Sequence, residues 1–567
     1  MTFTSYQTII RNVLKGPSLY LLLLSLKGTQ ALFHPGFFTS HDGYHQIVRL
    51  LHFHQGILDG QFPVRWAGQA LYGFGYPLFY FTYQLPFFLG ELFLRFGFSL
   101  ADSIKILFIL AYPISGLIMY GFVKDLWGKW AGFFAAVLYL WAPYRFSTIF
   151  VRGSLGEHFT WIFLPLVLWG CFSLSRQYYR RGVLFLGLGL AGLILSHVII
   201  TQLAILPILL FWITLSVFSK TKMKLLLTSI LGVFLGLGLA SFYLLPSLDM
   251  KQYIGGFPPS HIFDHFVTFK QLFYSPWGFG FSFPGTKYDA MSFQLGIPQW
   301  IVVGLSVFLI LFLLWRRRLR SLDAIAILFL LVFAGSLIMM TEYSKPIWLA
   351  IKQYVTVDFP WRFLLITTTC SALLGGYITS RIRPKFLTVV LSVGLIFLTF
   401  YANRNHIRVN LYESNPMQYV YPTQTSSSYE EYTPVGANLK LAEDPVDRTV
   451  NVLDGEIEIG HVIKTSNLIA FDADAKTNSR LSINQFYFPT WNLFFDGVQQ
   501  PTQVDSYGIW DFTVPEGQHR ITIELRDPSL HQLANITSVL SIGITILLIK
   551  NSSMNSRGQR SHMQGYR

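Results

Sequence analysis

Apolar runs of about 18 residues or more, each long enough to cross a hydrocarbon layer of roughly 30 Å, recur along almost the whole chain. Inside a bilayer a backbone must satisfy its own polar groups, so such runs leave the helix as the spanning form. Hydropathy windows predict spans near 17–34, 103–123, 131–147, 159–175, 182–199, 201–218, 225–246, 295–314, 323–340, 363–379, 386–402 and 533–550, about twelve in all. Only 13% of the 567 residues are charged, against roughly 25% in a soluble domain, which excludes a soluble protein.

The basic residues set the orientation. Arg11 and Lys15, Lys124 and Lys129, Arg176 with Arg180 and Arg181, and Lys220, Lys222 and Lys224 fall in alternate loops. Arg316–Arg318 and Arg320, then Arg381, Arg383 and Lys385, and finally Lys550, Arg557 and Arg560 continue the alternation. Cytoplasmic loops are enriched in Lys and Arg, so both termini are expected in the cytoplasm of a multi-pass plasma-membrane protein. The net charge of +14 therefore reports topology and not a nucleic-acid partner. Residues 76–95 are apolar enough to span, yet a helix there would invert every later loop. With Pro77, Pro86, Glu91 and Arg95, they are expected to form a re-entrant or interfacial segment. Lys27 follows the first apolar run without a small-residue cleavage site, which reads as an uncleaved first helix. Cys171 and Cys370, the two cysteines, each lie inside an apolar run and offer neither a disulfide framework nor a cysteine metal site.

This arrangement sends 35–102, 144–158, 248–292, 342–362 and 403–530 to the outer side. The 403–530 block turns polar and alternates, as in Ile457–Ile463, Leu481–Phe488 and Arg520–Leu525, and is expected to be an extracytoplasmic β-sandwich. Asp496-Gly497, two residues tolerant of positive φ, predicts a hairpin turn. The expected division is a membrane domain over 1–402 with the long first outer loop 35–102, the β-rich domain 403–530, and a last helix with a basic tail over 531–567.

Polar chemistry gathers on the outer side. Thr39-Ser40-His41-Asp42-Gly43-Tyr44-His45 follows the first span, and a helix starting at Asp42 would carry His45, Arg49 and His52 on one face. A carboxylate at that depth is costly unless hydrated, paired or used; an N-cap is the plainer role for it. Phe62-Pro63-Val64-Arg65-Trp66 and Tyr72-Gly73-Phe74-Gly75-Tyr76-Pro77-Leu78 follow, in which Arg65 is suited to clamp a phosphate. The aromatics, Tyr76 among them, suit a lipid or sugar surface or an ordinary interfacial belt. Arg145 and then Arg152-Gly153-Ser154-Leu155-Gly156-Glu157-His158 place a second acid and histidine at a helix entrance. Asp42, Glu157 and His158, with His41 and His45, could hold a divalent metal or share acid–base roles; an Arg152–Glu157 ion pair is the alternative. His197, Glu342, Asp358, Trp361 and Arg362 complete the outer candidates. No Walker loop, dinucleotide fingerprint or nucleophile elbow occurs.

In layout and in these motifs the chain resembles the GT-C superfamily of membrane glycosyltransferases, which use polyprenyl-phosphate sugars. There an acidic residue stands near the start of the first outer loop and a second before the fourth helix, the places of Asp42 and Glu157. The Phe62–Trp66, Gly73–Leu78 and Arg152–Glu157 motifs resemble uncharacterised bacterial and archaeal membrane proteins labelled 6-pyruvoyl-tetrahydropterin-synthase-related, though no residue pattern here supports pterin chemistry. Phe486–Gly497 and Val514–His519 resemble large bacterial membrane proteins linked to teichoic-acid glycosylation. The resemblance implies transfer of a sugar from a polyprenyl-phosphate donor in the membrane lipid to a glycan or other cell-envelope acceptor. It assigns catalysis to Asp42 and Glu157 and the donor phosphate to Arg65, Arg152, Arg362 and Tyr76, with His41, His45 and His158 in support. A transporter or lipid flippase would carry charges near the midplane in broken helices, whereas the acids here gather at one face; a non-catalytic glycan-binding scaffold would tolerate loss of Asp42.

Overall fold

A computed structural model of the chain describes residues 16–256, 261–355, 357–382, 384–421, 431–442 and 448–564. Arg11, Lys15 and Arg383 of the topology reading, and the side chains of Arg557 and Arg560, lie outside what is described.

The protein is a polytopic helical membrane protein with a C-terminal β region. Among the described residues nine helices are long and apolar enough to cross a bilayer, and eleven spans result when each of two bent pairs counts as one. The helices that the site uses are α1 (Pro17–Gly28), α2 (Gly43–Leu58), α3 (Leu85–Arg95), α4 (Leu100–Trp127), α5 (Lys129–Leu140), α6 (Leu155–Ser175), α7 (Tyr179–Ser196), α8 (Val198–Phe218) and α9 (Lys222–Met250). They are followed by α10 (Ile297–Trp315), α11 (Asp323–Met339), α12 (Leu364–Arg381), α13 (Lys385–Asn403) and the last span, Ser529–Lys550. Eleven of the twelve expected spans coincide with these, whereas α1, 12 residues long, is too short to count among them. The 76–95 segment folds as Leu78–Phe81 and α3. At 1.5 Å per residue, the 11 residues of α3 reach about 16 Å, half a bilayer.

Two spans are broken. α5 bends by 52° into Pro143–Val151, and α11 bends by 93° into Glu342–Ile351. Pro143 at the start of the second piece cannot donate to the preceding turn, which explains the first break. α6 and α7 cross closely because Gly170 and Gly189 lack side chains: a Cβ on Gly170 would lie 2.4 Å from the Leu186 nitrogen, and one on Gly189 2.8 Å from that of Val167. Small residues let membrane helices approach where no hydrophobic drive between them exists.

Beyond α13, Tyr412–Glu413 (β2) pairs antiparallel with Phe37–Phe38 (β1), and residues 431–435 hydrogen-bond to 253–256. The sandwich itself begins at Val450. One sheet has the order β10-β7-β3, from Ile509–Val514, Ser479–Phe486 and Val450–Asp454. The other runs β4-β6-β11-β8-β9, from Ile457–Ile459, Leu468–Ala475, Gly517–Leu525, Trp491–Phe495 and Val498–Gln499, with β5 (Ile463–Lys464) also on β6. Alternate residues, among them Ile469, Phe471, Leu481, Ile483, Trp510, Phe512, Ile521 and Ile523, fill the space between the sheets. Asp496 and Gly497 adopt φ of 50° and 81°, the expected turn between β8 and β9. Trp66 and Tyr80 of the first outer loop join this core, so the sandwich is seated on that loop.

Candidate functional site

The two polar loops singled out in the sequence are stitched together by their backbones. The Asp42 amide donates to the Arg152 carbonyl at 2.7 Å and the His41 amide to that of Val151 at 3.0 Å. A π-helical turn, Ser147–Val151, and Arg152 that caps it offer those carbonyls where the broken span begun by α5 ends. The approach depends on Gly153, whose φ is 63° and whose Cβ would stand 2.4 Å from the Ser40 hydroxyl. Gly156 has the same role a turn further along, where a Cβ would meet both the Ser196 carbonyl and the Tyr83 ring at 2.4 Å. The Arg152–Glu157 motif is thus a packing surface as well as a carrier of charge.

Glu157, at the start of α6, is fully buried. Its carboxylate accepts from Tyr144 Oη at 2.5 Å, Arg152 Nη1 at 2.5 Å and Arg362 Nη1 at 2.8 Å. Arg362 also grips Asp358 bidentately, Nε to Oδ1 at 2.7 Å and Nη2 to Oδ2 at 2.5 Å. Its Nη1 lies 2.9 Å from Nε2 of His197; because a guanidinium only donates, that nitrogen is the acceptor and the ring is neutral in this contact. Burial raises the Asp358 carboxyl's pKa, but the Arg362 guanidinium outweighs it and holds the group below the ordinary carboxylate value. Two acids and two arginines therefore form one alternating, buried chain. The Arg152–Glu157 pair is the ion-pair alternative of the sequence reading, and Glu157, saturated by three donors, is sealed from any substrate.

Beside this chain lies a cavity of about 550 Å³, walled by loops and by helix ends. Asp42 and Arg152 line it, as do His41, His45, Arg49, Tyr83, His197, Asp358, Trp361 and Arg362. Asp42 holds the N-cap position of α2, but its side chain makes no capping bond. Among the described residues no hydrogen bond or ion pair engages its carboxylate, which is thus directed at the cavity and not spent on the helix. Asp42, His45 and Arg49 share the cavity face of α2 as their spacing predicts, whereas His52 is buried away from it. His41 lies 3.1 Å from the Phe279 carbonyl and stacks on Phe281. Burial depresses the pKa of both His41 and His45, with the Asp42 charge opposing it, so both rings are neutral at pH 7. Arg152 stacks on Trp361, 4.6 Å from the ring centre. Its Nη1 serves Glu157 and Tyr144, while among the described residues its Nε and Nη2 donate to nothing, so these N–H groups remain for an anion.

Other expected site residues go elsewhere. Arg65 is buried at the foot of the last helix, 3.6 Å from Asp527, donating to Asn535 at 3.2 Å and lying over Tyr80. It clasps the first outer loop to that helix, and the cavity lining does not include it. Tyr76 is buried, and its hydroxyl accepts from the Tyr432 amide at 2.9 Å, so it supports the wall without lining it. His158 turns away from Glu157, its neighbour on α6, and donates from Nε2 to the Phe108 carbonyl at 3.0 Å. Asp42, Glu157 and His158 consequently form no common donor set. Among the described residues no group of three or more His, Cys, Asp or Glu side chains is placed to hold a metal ion. Glu342, also a candidate, is exposed and away from the cavity.

The sequence reading missed Tyr83, Tyr243, His265, Glu431 and Tyr432, all of which line the cavity. Tyr83 donates to Gln46 at 2.7 Å and accepts from Arg49 at 3.3 Å. The one-sided clustering of acids was a usable signal for Glu431; no local pattern marked the tyrosines.

No family model matches the chain. An uncharacterized protein of Lactococcus lactis subsp. cremoris (strain MG1363) is 23% identical over 238 residues, which are 40% of this chain and 39% of that one. Among solved structures, arabinofuranosyltransferase AftD from Mycobacteria aligns with a TM-score of 0.43 at 14% identity, covering 69% of this chain and 27% of that one. A mutant of the same enzyme aligns with a TM-score of 0.40 at 13% identity, covering 68% of this chain and 27% of that one.

Proposed function

We propose that the protein is a membrane glycosyltransferase that moves a sugar from a polyprenyl-phosphate donor to a cell-envelope acceptor on the extracytoplasmic face. The supporting observation is the cavity at one end of the helix bundle, where an unengaged carboxylate, Asp42, stands on the same wall as a guanidinium with open N–H groups, Arg152. The alternation of the basic loops supports that end facing outward, with both termini in the cytoplasm.

In this reading the acceptor hydroxyl gives its proton to Asp42 as its oxygen forms the new bond to the anomeric carbon. The bond from that carbon to the phosphate oxygen breaks, and polyprenyl phosphate leaves with the electron pair. Single displacement inverts the anomeric centre. Arg152 meets the charge that grows on the leaving phosphate. Arg362, held by Asp358, Glu157 and His197, positions Arg152 through the shared Glu157. Water-poor surroundings at the bilayer face suit a lipid donor.

The test compares wild type with Asp42→Asn in membranes supplying polyprenyl-linked sugars, scoring sugar transfer to envelope acceptors at matched protein level. Transfer is expected to fall by about 10²–10⁴-fold, the usual worth of a general base. Equal transfer by both proteins would overturn the mechanism.

A further inference from the structure

The far wall of the cavity comes from an unexpected region of the chain. Residues 431–435, which follow the last helix before the β region, lie antiparallel to 253–256: Gly256 N–H donates to the Glu431 carbonyl at 2.8 Å, Gly255 N–H to Thr433 at 3.0 Å, and Val435 N–H to Tyr253 at 2.9 Å. The Tyr432 amide is held by the Tyr76 hydroxyl at 2.9 Å, and its ring stacks on Phe81 with centroids 5.3 Å apart. This strap presents two side chains to the cavity, Glu431 and Tyr432. Glu431 is 5% exposed. Its charge and that of Asp42 both act on the Arg49 guanidinium, so Arg49 marks the strip of wall on which the two carboxylates face one space.

A carboxylate beside aromatic rings has a definite chemical preference. It accepts from a sugar hydroxyl in a charge-assisted hydrogen bond, and the rings cover the C–H face of a saturated ring while excluding water. Arg152, with its open N–H groups, lines the same cavity. Resting on the glycosyltransferase reading, we infer that Glu431 and Tyr432 form the acceptor subsite and that the acceptor is a glycan, one of whose hydroxyls Glu431 binds. The strap ties this specificity to the β region, which in turn is seated on Trp66 and Tyr80. Glu431 binds the acceptor and Asp42 takes its proton. The donor needs neither group of the strap.

The test uses the full chain in lipid nanodiscs. The acceptor probe is envelope polysaccharide purified from a strain deleted for this protein; the donor probe is the polyprenyl-phosphate-sugar fraction of the same membranes. Glu431→Gln and Tyr432→Leu are each expected to raise the KM for the polysaccharide by about 10–100-fold, the worth of one or two hydrogen bonds to a charged group. Unfolding midpoints in mixed micelles that match wild type show that both variants are folded. A polysaccharide KM within about twofold of wild type in both variants would overturn the assignment. Retention of the polysaccharide on nanodiscs, measured without donor, separates the two readings. Glu431-dependent retention by a protein that transfers nothing would sink glycosyl transfer and uphold the subsite, while equal retention by wild type and Glu431→Gln would sink the subsite alone.

Discussion

Glu157→Gln isolates the buried charge chain. The carboxylate is fully buried and receives three hydrogen bonds, two of them from guanidiniums. Removing its charge leaves Arg152 and Arg362 sharing Asp358 alone. Breaking a buried pair by deleting one partner costs about 3–5 kcal/mol. The amide keeps one oxygen as an acceptor, recovering about 1 kcal/mol, but turns its NH₂ toward a donor. The net loss expected is therefore about 2–4 kcal/mol, a large share of a typical total of roughly 5–15 kcal/mol. Reversible unfolding in mixed micelles, with sodium dodecyl sulfate as the denaturant, measures it. Arg152→Met provides the decisive control, because Glu157 keeps Arg362 when Arg152 is lost, and the double variant no longer opposes two unpaired cations. Glu157→Gln with Arg152→Met should thus be milder than the sum of the singles, with a coupling of about 1–3 kcal/mol. Additivity within about 0.5 kcal/mol, or a Glu157→Gln protein as stable as wild type, would refute the charge chain as described.

Asp42→Asn should leave that same stability within about 0.5 kcal/mol of wild type, since its side chain neither caps the helix nor joins an ion pair; a larger loss would show the residue to be structural. Gly156→Ala should cost about 1–3 kcal/mol by overpacking against Tyr83 and the Ser196 carbonyl, read in the same unfolding assay. His406, stacked on Trp277, has its pKa lowered by burial and by Arg408 from 6.5 to about 4. Folded His406 therefore binds its proton later than the unfolded chain as pH falls, and stability should decline by up to about 3 kcal/mol between pH 6.5 and 4. His406→Phe keeps the stack and should flatten that decline. Arg65→Met should destabilise the docking of the last helix by about 2–4 kcal/mol while leaving the KM for a polyprenyl-phosphate sugar unchanged; a raised KM would return Arg65 to the phosphate site.

Hydropathy by itself located the long apolar helices, because a spanning backbone has one way to satisfy its polar groups and the physics is local. The Asp496-Gly497 turn was equally legible, since both φ values depend on two residues. The alternating pattern after residue 450 announced strands for the same reason. Asp42 and Glu157 were also visible as costly acids at helix entrances. Their roles were not, because a lone carboxylate in a sequence looks the same whether three donors saturate it or none engages it. Only the tertiary structure separated them: Arg362, 205 residues beyond Glu157, closes the charge chain on it. It likewise sent Arg65 to the foot of the last helix, and it brought Glu431 from beyond α13 to the cavity wall. Contacts between residues so far apart in sequence arise from how helices and loops pack, and no local spacing encodes them.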